Sequence, residues 1–232
     1  MTIRRAREER RYGGLAGGLI TVLDPSSPAS EAYRTLRTNL LYAVVDAPPK
    51  VIVLTAPGPG EGKTTVCANL GVVLAQAGKK VLILDCDLRK PSVHKIFNLR
   101  NIVGIVNLLA GEIQLEEIWH EPVTGLKLVT AGPTPPNAAE LLDSRSFQTL
   151  LERVRGEFDY VLIDTPPAGA VSDPLILGRR GDGVLLVLDA QHTRKQAVRR
   201  TIRSLKNVRA NILGTVMNRV QSSSGDDYYY YA

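Results

Sequence analysis

The stretch Val51–Thr65, VIVLTAPGPGEGKTT, constrains this chain more than any other. Its first four residues are wholly apolar and mostly β-branched, the pattern of a short strand buried on both faces of a parallel sheet. A turn follows that holds Gly58, Gly60 and Gly62; without a Cβ, such residues reach positive φ and let successive N–H groups approach an anion. The run closes on Lys63-Thr64-Thr65 and a predicted helix, whose positive end points at the same place. Gly58, Pro59, Gly60, Glu61, Gly62, Lys63, Thr64 and Thr65 thus read as a nucleotide-binding segment. Its amides wrap the β-phosphate, Lys63 supplies a charge for the β- and γ-phosphates, and the Thr64 hydroxyl ligates Mg²⁺. One position departs from the motif: Pro57 stands where the first glycine belongs, although its fixed φ still suits a tight turn.

Two further apolar runs end in carboxylates. Lys80–Leu84 leads into Asp85-Cys86-Asp87-Leu88-Arg89-Lys90-Pro91, and Tyr160–Ile163 into Asp164-Thr165-Pro166-Pro167. Open α/β sheets bind ligands beyond the C-terminal ends of their strands, where these acids fall. Continued strand alternation sends Asp85 and Asp87 to one side, one for a metal shell and the other as a base. Asp164 is expected to contact Mg²⁺ directly or through water. Strands over Val184–Leu188 and Ile212–Met217, with a helix over Thr193–Leu205, continue the alternation. The expected fold is α/β, a parallel sheet flanked by helices on both faces.

The remaining elements are read by period. A helix is expected within Ser26–Val45, with Ser30 as N-cap and Tyr33, Leu36, Leu40 and Leu41 at helical spacing. Glu31, Arg34 and Arg37 share one side of it, as an exposed salt-bridged face by spacing alone. Thr65–Gln76 reads as helix, Ile102–Leu109 and Leu115–Trp119 as short helical pieces, and Leu126–Thr130 as strand. Gly132–Asn137 reads as a proline-rich loop bordering the site. Ser144–Val154 is an amphipathic helix with Phe147, Leu150, Leu151 and Val154 inward. His94 and His120 lack metal partners at useful spacing and, like Trp119, read as packing or surface residues.

At 232 residues and 44% hydrophobic content the chain suits one main globular domain. No apolar run approaches the roughly 18–20 residues of a membrane helix, and the N-terminus lacks a leader's apolar core, so a cytoplasmic protein is expected. Cys67 and Cys86 are expected to be reduced and structural. The net charge is +6, and five arginines fall within the first eleven residues. That head reads as a solvated arm, a contact for anionic lipid or a membrane protein's cytoplasmic tail, or a nucleic-acid arm; composition alone leaves the three open. The expected division is a basic flexible arm over 1–25, a nucleotide-binding domain with its preceding helix over 26–220, and a flexible tail over 221–232. That tail ends in Tyr228, Tyr229, Tyr230 and Tyr231, after Ser-Ser-Ser-Gly-Asp-Asp. A terminal solvated run cannot bury four rings, so phenols on a tether read as substrates.

The phosphate loop ending PGEGKTT, the strand ends LILDCDLRKP and VLIDTPP, the helix SEAYRTLRTN and the terminal tyrosines, in that order, resemble the bacterial tyrosine kinases of polysaccharide synthesis. The resemblance runs from about Ser30 to the C-terminus and implies a P-loop NTPase architecture of the deviant Walker A type. It implies that Lys63 holds the transferring phosphate of ATP, that Thr64, Asp85 and Asp164 surround Mg²⁺, and that Asn218 touches the adenine. Asp87 is the implied acceptor of the tyrosine proton, with Asp85 able to exchange roles with it. Glu31, Arg34 and Arg37 match the family's subunit-contact motif, which implies a homo-oligomer in the form of a ring, and transfer between subunits. An integral-membrane polysaccharide co-polymerase as activator, recruitment through it to the inner membrane face, and a counteracting tyrosine phosphatase are also implied; no nucleic acid is. The alternative on the same architecture is a partition or positioning ATPase that acts as a nucleotide switch. Such proteins carry an additional lysine early in the loop, where this chain reads Ala56-Pro57-Gly58-Pro59-Gly60.

Overall fold

Alternate residues of strand β1, Val51–Thr55, enter opposite cores: Val51 and Val53 pack on one face of the sheet, Ile52 and Leu54 on the other, all completely buried. That is how a strand with no polar position is used, covered by helices on both sides. The computed structural model describes residues 18–42 and 48–221.

The other strands are β2 (Val81–Asp85), β3 (Trp119–Val123), β4 (Leu126–Val129), β5 (Tyr160–Asp164), β6 (Gly183–Asp189) and β7 (Ile212–Asn218). They form one seven-stranded sheet in the order β3-β4-β2-β5-β1-β6-β7. All neighbours are parallel except β3, which runs antiparallel to β4 at the edge. The carboxyl ends of β1, β2 and β5 therefore open side by side.

Helices on one face include α1 (Ile20–Leu23), α2 (Pro28–Tyr42) and α3 (Lys63–Gln76); α3 is buried over most of its length and packs on Ile83, Leu126 and Leu162. The opposite face is covered by α7 (Ala138–Asp143), α8 (Arg145–Glu157), α9 (Asp173–Arg180) and α10 (Lys195–Asn207). In α8 the inward residues are Phe147, Leu150, Leu151 and Val154, as the period predicts, with Ser144 Oγ accepting the Phe147 N–H as N-cap. Among the described residues there are also three short helices: α4 (Val93–Ile96), α5 (Ile105–Leu109) and α6 (Leu115–Ile118).

Several local expectations need correction. Ser27, rather than Ser30, caps α2: its Oγ accepts the Ser30 N–H at 3.2 Å, with Pro28 at the first helical position. Ser30 is completely buried, and its hydroxyl donates to the carbonyls of Asp24 and Ile20. Trp119 opens β3 instead of closing a helix, because its ring meets Phe158 edge-on and Lys127 lies over it, both on neighbouring elements. The helix expected over Ile102–Leu109 begins only at Ile105, leaving Ile102 exposed. The loop Gly132–Asn137 packs against Asn101 and Gly104 and borders no part of the cleft described below.

Within the expected arm 1–25, Leu19, Thr21 and Val22 are packed, while residues 23–25 are exposed. Leu19 is completely buried, and Asn69 of α3 accepts the N–H and hydroxyl of Thr21 while donating to Gly18 O. Residues 1–17, 43–47 and the tail 222–232, with the arginine cluster and the four tyrosines, lie outside the described residues. Among the described residues no helix is long and apolar enough to cross a membrane.

Candidate active site

The loop after β1 is shaped by two left-handed glycines, Gly60 (φ 79°) and Gly62 (φ 87°), and Gly62 is the residue from which α3 starts. A Cβ on Gly62 would lie 2.1 Å from Asn218 Nδ2, so the loop sits directly against the end of β7. Asn218 Nδ2 donates to Glu61 O at 3.0 Å. The Glu61 side chain folds inward, accepting the Gly58 N–H on one oxygen and the Thr193 hydroxyl on the other, both at 2.8 Å. Pro57, the departure from the motif, is buried, and its carbonyl is met by Gly169, where a Cβ would approach to 2.1 Å. The chain after β5 is thus keyed into the loop: Thr165 donates its hydroxyl to Leu54 O, and Thr55 donates to Pro166 O.

Lys63 and Thr64, the first residues of α3, meet the acids of β2 and β5. Lys63 Nζ lies 3.1 Å from Asp87 Oδ2 and 3.4 Å from Asp164 Oδ2, and the Thr64 hydroxyl donates to Asp164 Oδ2 at 2.8 Å. Asp85 and Asp164 are register partners on adjacent strands. Asp85 accepts the N–H groups of Asp87 and Val93, and Asp87 Oδ1 accepts that of Lys90. The strand ends at Asp85, so Asp87 is set by the turn that follows rather than by strand alternation, and that turn brings it to the same lysine that Asp164 approaches.

Burial dominates the electrostatics. Loss of solvent, then the charge of Asp164, pushes Asp85 well above the usual carboxylate range. Burial also raises Asp164, against the pull of Lys63 and the Thr64 hydroxyl. Burial works to lower Lys63, but Asp164, Asp87 and Asp85 together outweigh it and hold the ammonium above its ordinary value. One ammonium serves three carboxylates, so the cluster is built for more positive charge than it contains. Asp164 Oδ1 is buried without a hydrogen-bond partner. A second cation fits that orphaned oxygen. Among the described residues no three His, Cys, Asp or Glu side chains cage an ion on their own. The donors suit Mg²⁺, which takes few protein oxygens and completes its shell with water and phosphate.

Beside this cluster opens a cleft of about 630 Å³, lined by the loop, by Asp87, Arg89, Lys90, Ser92, Lys95 and Ile96, and by Pro166, Pro167, Ala170 and Val171. Sequence reasoning passed over Ser92, whose hydroxyl donates to Thr64 Oγ1 at 3.1 Å, and Asp173, which is completely buried and binds Arg89 through two hydrogen bonds. The Ser172-Asp173-Pro174 helix start was the available signal for Asp173; Ser92 had none. Asn218 is held at the loop's far side, outside the cleft lining. Glu31, Arg34 and Arg37 lie away from the site: Arg34 pairs with Glu31 at 2.7 Å, and Arg37 donates to Val73 O on α3. His94 and His120 belong to no metal cluster among the described residues, and Cys67 and Cys86 are free and completely buried.

The comparisons with known proteins agree with this geometry. The AAA domain family AAA_31 matches residues 49–218. Over 232 residues the chain is 40% identical to the tyrosine-protein kinase YwqD of Bacillus subtilis strain 168, covering all of this chain and 96% of that protein. It is 35% identical over 216 residues to the tyrosine-protein kinase Wzc of Salmonella typhimurium, covering 92% of this chain but 30% of Wzc. Among solved structures, the chimerical protein CapA2B2 superposes with a TM-score of 0.84 at 36% identity, covering 93% of this chain and 98% of that one. The kinase domain of the Escherichia coli tyrosine kinase ETK gives 0.82 at 33% identity, covering 90% and 84%. An AAA domain whose loop lysine is ringed by strand-end carboxylates, with these relatives, is a protein-tyrosine kinase, and the chain belongs to the bacterial tyrosine kinase family.

Proposed function

We propose that this chain transfers the γ-phosphoryl group of ATP to the tyrosines of its own C-terminal cluster, Tyr228–Tyr231, between subunits of an oligomer. The observation that carries this reading is the convergence of Lys63 on Asp87 and Asp164 at the mouth of a cleft with apolar walls. Phosphoryl transfer demands charge neutralisation and in-line placement more than covalent chemistry. Lys63 and the loop amides hold the transferring phosphate, and Asn218, tied to the loop through Glu61 O, is the proposed contact for the adenine. Thr64, Asp85 and Asp164 would hold Mg²⁺, which supplies charge neutralisation at the phosphates when bound. Asp87 accepts the phenol proton, and Lys63 and the Lys90 N–H fix its carboxylate for that task.

Transfer between subunits is the proposed route. Gln221–Asp227 is seven residues, about 25 Å at full extension, and it follows closely on Asn218, which contacts the loop, so tether length by itself does not choose between a subunit's own site and a neighbour's. Glu31, Arg34 and Arg37 are the proposed subunit contact, with Arg37 linking that face to the helix that begins at Lys63. Each phosphate adds about −1.5 to −2 charges, so a phosphorylated tail would repel its neighbours and favour an opened ring. An integral-membrane polysaccharide co-polymerase is the proposed activator, recruiting the chain to the inner membrane face and regulating polysaccharide synthesis, with a phosphatase resetting the tail.

The test is intact-mass spectrometry after incubation with ATP and Mg²⁺, with and without Lys63→Met, then peptide mapping of the tail. Phosphate on Tyr228–Tyr231 that requires Lys63 is the expected result. ATP consumed with no phosphate on the chain, even with the activator's cytoplasmic segment added, would leave a nucleotide-switch ATPase instead.

A further inference from the structure

Among the described residues four cationic side chains line the cleft, and two of them are already committed. Lys63 is only 12% exposed and held by Asp87 and Asp164, while Arg89 is locked by two hydrogen bonds to buried Asp173. Lys90 and Lys95 are exposed, and neither forms an ion pair among the described residues. Both are nevertheless fixed relative to the chemistry. The Lys90 N–H donates to Asp87 Oδ1, and Lys95 belongs to α4, whose first residue, Val93, donates its N–H to Asp85 Oδ2. Across the cleft the walls are Pro166, Pro167, Ala170 and Val171. Such a cleft offers an apolar slot for a ring beside two uncompensated ammonium groups.

The acceptor segment has the complementary pattern. Asp226 and Asp227 stand immediately before Tyr228. With Tyr228 at Asp87, an extended tail places those carboxylates about 4 and 7 Å back along the chain, within the reach of lysine side chains anchored beside Asp87. We propose that Lys90 and Lys95 are specificity residues that recognise negative charge on the N-terminal side of the acceptor tyrosine, so that Tyr228 is phosphorylated first. This rests on the autokinase reading above. The transfer forms a bond between the Tyr228 oxygen and the γ-phosphorus, breaks the bond to ADP and leaves the phenol proton on Asp87. The new phosphotyrosine then supplies the negative charge next to Tyr229, so labelling runs in order from Tyr228 toward Tyr231.

The test separates donor from acceptor within full-length chains. The donor carries Tyr228–Tyr231 all changed to Phe. The acceptor carries Lys63→Met with Asp226 and Asp227 intact, both changed to Asn, or both changed to Lys. Intact mass and peptide mapping follow the acceptor over time. The intact tail is expected to be labelled about 5-fold faster than the Asn tail at low salt, with the gap closing at high salt. Tyr228 should be labelled before the others. A Lys90→Glu, Lys95→Glu donor is expected to prefer the Lys tail, a reversal that a folding defect cannot produce. Equal rates for the intact and Asn tails, or no fixed order, overturn this inference and leave the autokinase reading standing. No labelling of any acceptor overturns both.

Discussion

Asp85 and Asp164 face each other as register partners at the ends of β2 and β5, both completely buried, and a single ammonium, Lys63, serves them together with Asp87. Both carboxyls titrate above their usual range in the fold. Between the ordinary value near 4 and the raised ones, the folded protein binds more protons than the unfolded chain, so their contribution lowers stability as pH rises through that window. Asp164→Asn keeps an oxygen for Thr64 and Lys63 while removing one buried charge. It is expected to flatten that decline and raise the melting temperature of nucleotide-free protein at neutral pH by ~2–4 °C. Thermal melts across pH check this; a variant that melts lower at neutral pH would show that Lys63 alone balances the cluster.

Thr64 Oγ1 joins Asp164 to Ser92 and is the proposed hydroxyl ligand of Mg²⁺. Thr64→Val should slow tail labelling by about 10²-fold, whereas Thr64→Ser, which keeps the oxygen, should remain close to the parent. Chelation of divalent ions should stop labelling in every variant. The measurement is the initial rate of mass gain with magnesium titrated.

Among the described residues, Asp87 is the only carboxylate lining the cleft. Its replacement by Asn should lower kcat for tyrosine transfer by about 10²-fold or more, the usual range for a positioned general base. Steady-state kinetics on a tail-bearing acceptor decide this, and an unaltered kcat would move the proton-accepting role to Asp85.

The Glu61 carboxylate bridges Gly58 and Thr193, and Asn218 holds the Glu61 carbonyl. Gly62→Ala introduces both a left-handed alanine and a contact with Asn218, at a cost of about 1–3 kcal/mol, and should raise KM for ATP. Thr193→Val should raise KM more mildly, since the loop keeps the other two contacts. Nucleotide titrations monitored by fluorescence distinguish the two.

Asn69, completely buried, satisfies Gly18 and Thr21 at once. Asn69→Ala leaves those groups without their partner and should cost about 2 kcal/mol, read as a shifted urea midpoint with cleavage by protease ahead of α2.

Residues that act close in sequence were legible without a structure. The apolar run of β1, the three loop glycines and Lys63-Thr64 declare their conformation locally, and the acids at Asp85 and Asp164 are marked by the runs they terminate. The β3 strand escaped because Trp119 owes its extended geometry to Phe158 and Lys127, distant in the chain. Ser30 reads as a cap from its neighbours but is claimed by carbonyls of an earlier turn. Ser92 carries no local signature and Asp173 only that of a helix start; each becomes part of the site only when the chain ends of β2 and β5 meet.

The sequence by itself determined a parallel α/β sheet, the phosphate loop and the acids at its strand ends, because strand burial, glycine φ and helix starts are set by neighbours a few residues apart. Tertiary structure alone decided that Lys63 is shared among Asp85, Asp87 and Asp164, that Glu61 turns inward to Thr193, and that Lys90 and Lys95, which pair with no acid among the described residues, line the cleft. Those outcomes depend on which side chains compete for one buried charge, and that competition exists only after strands distant in sequence lie side by side.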